Sequence, residues 1–202
     1  MHRRHFVQTV TGLTAAAALP GLAPVATAAA GAATAKANRP VPRFGDGRDW
    51  FFEKRFGLFV HWGLYAIAGW HEQHQWRGRV PREEYVQLAR QWNPVKYDPD
   101  AWLDLAQAAG MKYICITTKH HDGFCLWNTQ QTTYNTMHTP YGKDVIKMLA
   151  DACHRRRFPL CLYYSIADWH HPNYPNLGRH HELPPQPGDQ PDWDKYLEFL
   201  KA

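Results

Sequence analysis

Three short apolar runs divide the body of the chain, at residues 56–62, 111–118 and 158–165. None of them shows the clean alternation of apolar and polar positions that is typical of a sheet with one solvated face. Short runs without alternation indicate strands that are covered on both faces, as in a parallel sheet. We therefore predict three buried strands at these positions.

Four further stretches carry apolar residues at the spacing that gives a helix one apolar face. The four stripes are Tyr85, Leu88, Ala89 and Trp92; Trp102, Leu105, Ala106 and Ala109; Ile146, Leu149, Ala150 and Cys153; and Trp193, Tyr196, Leu197 and Leu200. Asp98-Pro99, Asp144 and Asp192 are start signals for the last three helices, and Gly110 is a stop signal. The order β-α-α-β-α-β-α predicts an α/β protein with right-handed crossovers.

The long loops of this predicted fold follow its strands, at residues 63–80, 122–142 and 167–191. Both a (β/α)₈ barrel and an open doubly wound sheet place their functional residues in such loops. The open sheet normally carries a nucleotide signature, and the sequence contains neither a G-x-G-x-x-G motif nor a Walker loop. Nucleotide binding is therefore disfavoured.

The composition changes character near residue 37. Residues 1–37 contain thirteen alanines and three charges, whereas eleven of the thirteen histidines lie beyond residue 43. The pair Arg3-Arg4, an apolar stretch too short to span a membrane and the small residues at 26–28 are typical of a Tat-type signal peptide. We predict a signal peptide at residues 1–30, a flexible lead-in at 31–43 and export without membrane attachment after cleavage.

The overall composition excludes several classes of protein. With 45% apolar and 20% charged residues, the chain is neither collagen-like, disordered nor a polytopic membrane protein. The net charge of +5 decreases by two when Arg3 and Arg4 are removed, and no basic run extends beyond residues 155–157, so nucleic acid is not an expected partner. The four cysteines, Cys115, Cys125, Cys153 and Cys161, lack C-x-x-C spacing. Cys115 and Cys161 lie in apolar runs and Cys153 lies on a helical stripe, which favours buried free thiols over disulfides.

Polar and aromatic residues gather where the predicted strands end. The first strand ends at His61, the second at residues 119–123 and the third at residues 163–165. Because strand ends of a barrel meet at one face, we expect a common pocket there. Histidine and tyrosine bond sugar hydroxyls and tryptophan stacks on sugar faces, so one interpretation is a carbohydrate pocket. The tryptophans available for stacking are Trp62, Trp76, Trp127 and Trp169.

A second interpretation of the same residues is a metal-dependent hydrolase. His61, His120, His121 and Asp122 are residue types that bind zinc. However, adjacent histidines on a strand point to opposite faces, so His120 and His121 do not easily reach one ion. The carbohydrate pocket is the favoured interpretation, and we expect no metal and no cofactor.

Three segments carry a family resemblance: RFGLFVHWG at residues 55–63, TTKHHDGF at 117–124 with Trp127, and LYYS at 162–165 with Asp168-Trp169. Together they resemble the α-L-fucosidases of glycoside hydrolase family 29, over roughly residues 43–202. The resemblance implies a (β/α)₈ TIM-like catalytic domain, of which residues 44–202 hold the N-terminal part with about three strands. It also implies retaining hydrolysis of terminal α-L-fucosyl groups through a covalent intermediate, with a fucosylated glycan as substrate.

The resemblance further implies six substrate-binding residues: His61, Trp76, His120, His121, Tyr163 and Gln75. Trp76 corresponds to the tryptophan of a Glu-Trp pair in the loop after the first strand, and Gln75 stands where many relatives carry glutamate. A neutral amide can still bond a hydroxyl, but it cannot act as an acid. We therefore expect the substrate preference to depend on this position.

The resemblance also concerns the catalytic carboxyl groups. Retaining hydrolysis uses two of them, about 5–5.5 Å apart. In this family the nucleophile is an aspartate at the end of the fourth strand and the acid/base lies further on, whereas this sequence stops at Ala202 before a fourth strand. We expect a truncated chain that lacks both groups and is inactive alone. A non-catalytic carbohydrate-binding remnant and the metal-dependent hydrolase remain open as alternatives.

Overall fold

A parallel sheet of three strands organises the part of the chain that the computed structural model describes, residues 43–202. The strands are β1 (Leu58–Val60), β2 (Ile114–Lys119) and β3 (Leu160–Tyr164), in the order β1-β2-β3. β1 and β3 lie inside predicted runs and β2 extends one residue beyond its run, to Lys119, so the parallel α/β architecture is confirmed. The predicted signal peptide and all but the last residue of the predicted lead-in lie outside the described residues.

Six α-helices accompany the sheet within residues 43–202. They are α1 (Trp50–Lys54), α2 (His74–Arg77), α3 (Arg82–Tyr85), α4 (Pro99–Ala108), α5 (Val145–Arg156) and α6 (Trp193–Lys201). Short 3₁₀ helices span Leu64–Ala66, Val86–Gln91 and Thr136–His138. No helix of residues 43–202 is long and apolar enough to cross a membrane.

The main core lies between the sheet and helices α4 and α5. Ile114 and Ile116 of β2 are fully buried, and they belong to one cluster with Leu103 of α4 and Leu149 of α5. Because neighbouring residues of a strand point to opposite faces, residues 115 and 117 face the other side of the sheet. That side is more open, and Phe59 of β1 is half exposed there.

Helix α4 begins where the sequence predicts. Asp98 caps it by accepting hydrogen bonds from the backbone N–H groups of Asp100 and Ala101, and Gly110 follows its end with φ of +78°. The predicted apolar stripe is wrong at two positions, because Leu105 is 67% exposed and Ala109 is also exposed, whereas Leu103 is fully buried. The helix is rotated so that Leu103 and Ala106 face the sheet.

The stretch around Tyr85 also differs from its prediction. Instead of one α-helix, it forms the short helix α3 followed by the 3₁₀ helix Val86–Gln91. Tyr85 and Trp92 are nonetheless both buried, as their apolar spacing indicates. The helices α1 and α2 were not predicted, because segments of four or five residues carry no readable periodicity.

All four cysteines are free thiols, as predicted. Cys125 and Cys153 are buried, whereas Cys115 and Cys161 are only half buried. The last two lie opposite each other on β2 and β3, on the side of the sheet that faces away from α4 and α5. Their partial exposure therefore follows from the open face of the sheet.

Candidate functional site

The carboxyl ends of the three strands bring three predicted site residues together. His61 follows β1, His120 follows β2 and Tyr163 belongs to β3. The ring centroids of His61 and His120 are 5.5 Å apart, those of His120 and Tyr163 are 5.3 Å apart, and those of His61 and Tyr163 are 6.3 Å apart. We call these three residues and His121 the ring cluster. The parallel register of the sheet is what assembles it.

His120 has a defined proton position. Its Nδ1 atom accepts a hydrogen bond of 2.9 Å from the backbone N–H of His121, so the ring proton of the neutral form resides on Nε2. Burial lowers the pKa of His120 to about 3, with smaller contributions from the neighbouring charges of His121 and His61. At neutral pH this ring is therefore an uncharged hydrogen-bond donor through Nε2.

His121 carries its ring proton on the other nitrogen, Nδ1. The Ser165 hydroxyl donates its proton to the carbonyl oxygen of Ala167 at 2.9 Å, so the His121 Nδ1–H must be the donor in the 2.8 Å contact with Ser165 Oγ. Nε2 of His121 is then a free acceptor. Burial lowers the pKa of this ring to about 4, while the charge of Glu72 acts in the opposite direction. The histidine pair therefore offers one donor and one acceptor.

The two histidine rings do not converge on a single point. They are nearly perpendicular at 85°, and His120 stacks on Tyr163 while His121 lies against Trp169. Both residues follow the last residue of β2, so the alternation of a strand does not apply to them, and their ring centroids are 4.2 Å apart. Within residues 43–202, no group of three or more His, Cys, Asp or Glu side chains is arranged to hold a metal ion.

A buried ion pair lies directly beneath the ring cluster. Lys119, the last residue of β2, is fully buried, and its Nζ atom lies 2.8 Å from Asp168 Oδ2. The other oxygen of Asp168 accepts hydrogen bonds from the backbone N–H groups of His170 and His171. The ion pair therefore fixes the loop after β3 to the end of β2. Gly123 completes the arrangement, because a Cβ there would lie 2.6 Å from Asp168 Oδ1.

Asp122 is the other carboxyl group at these strand ends. Tyr85 donates a hydrogen bond of 2.9 Å to its Oδ2 atom, and the backbone N–H of Phe124 contacts Oδ1. Burial raises the pKa of Asp122 to about 6. Both Asp122 and Asp168 are thus engaged in holding loops and helix α3 in place.

The tryptophans proposed for stacking are mostly structural. Trp62 packs within the core against Trp92 and Trp102, at centroid distances of 5.0 and 5.2 Å. Trp127 packs against the same core, and Trp169 is fully buried with its Nε1–H bonded to the carbonyl oxygen of His181. The stacking prediction for Trp169 is therefore wrong, because its ring is fully buried, whereas those for the partly buried Trp62 and Trp127 stay predictions.

Gln75 and Trp76 lie in α2, apart from the ring cluster. Gln75 is buried, and the ring contacts of Trp76 within residues 43–202 are with His180 and His181. The structure thus does not join these two residues to the other four, and their role stays a prediction. The loop does hold one carboxylate near the cluster, Glu72, whose charge acts on both His121 and Tyr65. Glu72 is the single acidic residue of positions 63–80.

These observations define an α/β protein of the (β/α)₈ type, with neutral polar rings at the carboxyl end of its sheet. A family model described as Alpha-L-fucosidase matches residues 29–200. The tissue alpha-L-fucosidase of Rattus norvegicus is 34% identical over 154 residues, which covers 68% of this chain and 32% of that protein. The chain therefore belongs to the α-L-fucosidase family, and the resemblance of its motifs is confirmed.

Solved structures agree with this assignment. Alpha-L-fucosidase isoenzyme 1 from Paenibacillus thiaminolyticus matches with a TM-score of 0.68 and 42% identity, covering 76% of this chain and 38% of that one. A GH29 alpha-L-fucosidase from Bacteroides thetaiotaomicron, trapped as a covalent intermediate with 2-fluoro-fucosyl fluoride, matches with a TM-score of 0.65 and 34% identity, covering 79% and 38%. The chain spans about a third of the length of the curated relatives it matches.

We predict that the Lys119–Asp168 pair contributes strongly to stability. Lys119→Met would leave the Asp168 carboxylate buried without its partner, which costs about 3–5 kcal/mol of unfolding free energy. Urea unfolding measures this loss. The matched control is Lys147→Met, which breaks the solvent-exposed pair with Asp151 and should barely move the urea midpoint. Similar losses in the two variants would contradict the prediction.

We also predict that His120 makes the fold sensitive to acid. The pKa of His120 is lowered from 6.5 to about 3 in the folded chain, so between these values only the unfolded chain takes up the proton. Stability is then lost as the pH falls below 6.5, by up to about 1.4 kcal/mol per pH unit through this residue.

Urea unfolding across about pH 7 to pH 5 checks this slope. His120→Gln should reduce this slope, to which the lowered pKa of His121 also contributes, whereas His154→Gln, at an exposed position of α5, should leave it as it is in the parent chain. An unchanged slope in His120→Gln would show that this histidine is not the buried neutral group described here.

Proposed function

We propose that this chain supplies the fucose-binding part of the active site of an α-L-fucosidase, an enzyme that hydrolyses terminal α-L-fucosyl groups of glycoconjugates with retention. The observation that carries the proposal is the ring cluster, in which His61, His120 and Tyr163 lie within 6.3 Å of one another at the carboxyl end of the sheet. The trapped covalent intermediate of the Bacteroides thetaiotaomicron relative supports the retaining route.

The hydrogen-bonding pattern suits a neutral sugar. A hydroxyl group needs both a donor and an acceptor, and His120 Nε2–H and His121 Nε2 provide one of each without a charge. The Tyr163 hydroxyl adds a third polar group at the same face. Phe59, half exposed and 4.5 Å from the His61 ring, offers an apolar wall for the methyl group of a 6-deoxy sugar.

The two aspartates at the strand ends do not supply the catalytic carboxyl groups in this proposal. We propose that neither Asp122 nor Asp168 is the nucleophile, since Tyr85 binds the first and Lys119 neutralises the second. Glu72, mostly buried in the loop after β1, is the carboxylate that we assign to the pocket in place of the family glutamate expected at Gln75. Hydrolysis would then require residues other than 43–202.

The test measures binding and hydrolysis by the purified chain separately. L-fucose should bind, as detected by saturation-transfer NMR of its methyl group, and an aryl α-L-fucoside should release no nitrophenol. Tyr163→Phe removes one hydrogen bond and should weaken fucose binding about fivefold. The matched control is Tyr113→Phe, a change of the same kind beside α1, far from the carboxyl ends of the strands.

Each outcome bears on a different part of the proposal. Absence of fucose binding, or an equal effect of Tyr163→Phe and Tyr113→Phe, would overturn the assignment of the pocket. Release of nitrophenol would overturn the assignment of the catalytic carboxyl groups to residues outside 43–202. DNA sequence downstream of codon 202 that encodes a fourth strand ending in aspartate would favour the hydrolase over a binding remnant.

We further propose that the protein is exported by the Tat route, on the basis of the Arg3-Arg4 pair and the small residues at 26–28. Cell fractionation with N-terminal sequencing should find an exported chain that begins near Ala29. Replacing both arginines, Arg3→Lys with Arg4→Lys, should retain the precursor in the cytoplasm, whereas the control Arg43→Lys should have no effect. Export of the double variant at the parental level would contradict the proposal.

A further inference from the structure

A cavity of about 1020 Å³ lies between the loop after β1 and the loop after β3. Its wall includes two tryptophans, three arginines and one glutamate: Trp70, Trp76, Arg77, Arg79, Arg82 and Glu182. None of these residues belongs to the ring cluster, and the fucose pocket proposed above does not use them. The cavity is therefore a separate feature of the same loop face.

A chain of contacts links this cavity to the ring cluster. Trp76 in the wall stacks on His181, with centroids 5.0 Å apart and planes at 21°. The carbonyl oxygen of His181 accepts a hydrogen bond from Trp169, and Trp169 packs against His121 at 5.0 Å. The cavity and the ring cluster are thus connected through His181 and Trp169, which lie between them.

The wall of the cavity carries an excess of positive charge. Arg82 is paired with Asp189 at 2.6 Å, and Glu182 is paired with Arg179 at 3.1 Å, so these charges are neutralised. Arg77 donates to the uncharged amide oxygen of Gln73.

Neither Arg77 nor Arg79 forms an ion pair with a carboxylate of residues 43–202. The Arg82 Nε–H group is buried and has no hydrogen-bond partner within the same range. At least two guanidinium groups are thus available to an anion, and guanidinium binds sulfate or carboxylate oxygens in pairs.

The aromatic residues of the wall suit a sugar ring. Trp76 is held in place by the stacked ring of His181 on one side and by the guanidinium of Arg77 at 5.8 Å. Trp70 is 47% exposed, although its ring also contacts His71 and His74. A large aromatic surface beside unpaired guanidinium groups favours a ligand that has both an apolar ring face and a negative charge.

We propose that this cavity binds a sugar that carries an anionic group, a sulfate ester or a carboxylate, in the same substrate as the fucosyl residue. Trp70 stacks on the sugar, and Arg79 with Arg77 binds the anion. The position of this sugar relative to fucose rests on the function proposed above, whereas its binding in the cavity does not. The cavity would make the protein selective for acidic fucosylated glycans.

The test uses probes without fucose, so that it does not depend on the ring cluster. Binding of 6-sulfo-N-acetyllactosamine, of 6′-sialyl-N-acetyllactosamine and of neutral N-acetyllactosamine is measured by tryptophan fluorescence. At least one acidic sugar should bind about tenfold more tightly than the neutral one, as expected for a charge-assisted contact. The stronger of the two distinguishes a sulfate from a carboxylate ligand.

Arg79→Gln should reduce the affinity for the acidic sugar to that for the neutral sugar and leave L-fucose binding unchanged. The matched control is Arg90→Gln, which removes the same charge at an exposed position in the 3₁₀ helix Val86–Gln91 and should have no effect. Equal binding of acidic and neutral sugars, or an equal effect of the two variants, would overturn the proposal. Loss of L-fucose binding alone would count against the proposed function and not against this cavity.

Discussion

The ion pair between Lys119 and Asp168 is the interaction on which the geometry of the site depends. Lys119 ends β2 immediately before the two histidines, and Asp168 begins the loop that follows β3. Because both charges are buried, each needs the other, and separating them leaves an uncompensated charge in the interior. Asp168 also binds the backbone of residues 170 and 171, so one carboxylate fixes a strand end and a loop together.

Burial beneath this loop also sets the electrostatics of the ring cluster. The pKa values of His120 and His121 are lowered to about 3 and about 4, mainly because the charged forms of both rings would be poorly solvated. Neutral rings with assigned protons act as directional hydrogen-bond partners for hydroxyl groups. The positive charge of the loop face is concentrated instead at Arg77 and Arg79, in the neighbouring cavity. The groups that suit neutral hydroxyls and those that suit an anion therefore lie in different parts of the loop face.

Much of the fold was predictable because it depends on local spacing. The three apolar runs mark the three strands to within one residue, and Asp98, Asp144 and Asp192 cap helices α4, α5 and α6 through their side chains. The wrong predictions concern positions whose burial depends on how a helix packs against the sheet. Leu105 has the helical spacing of a core residue, yet α4 is rotated to bury Leu103, because the sheet accepts only one face of the helix.

The candidate site was predictable in part, for the same reason. Its motif residues lie at strand ends, and the parallel register alone brings such ends together. Gln75 and Trp76 were selected by a motif in the sequence, whereas the structure joins them to α2 and places Glu72 near His121 instead. A loop of eighteen residues has too many conformations for spacing to determine which side chain faces the pocket.

By itself the sequence determined three parallel strands, capped helices and a cluster of polar rings at the strand ends, because each of these follows from residue order over short distances. Only the tertiary structure decided which ring nitrogen carries a proton and which tryptophans fill the core. The contact between His121 and Ser165, for example, joins residues that are 44 positions apart. Such contacts exist only after the strands have paired, so no local pattern contains them.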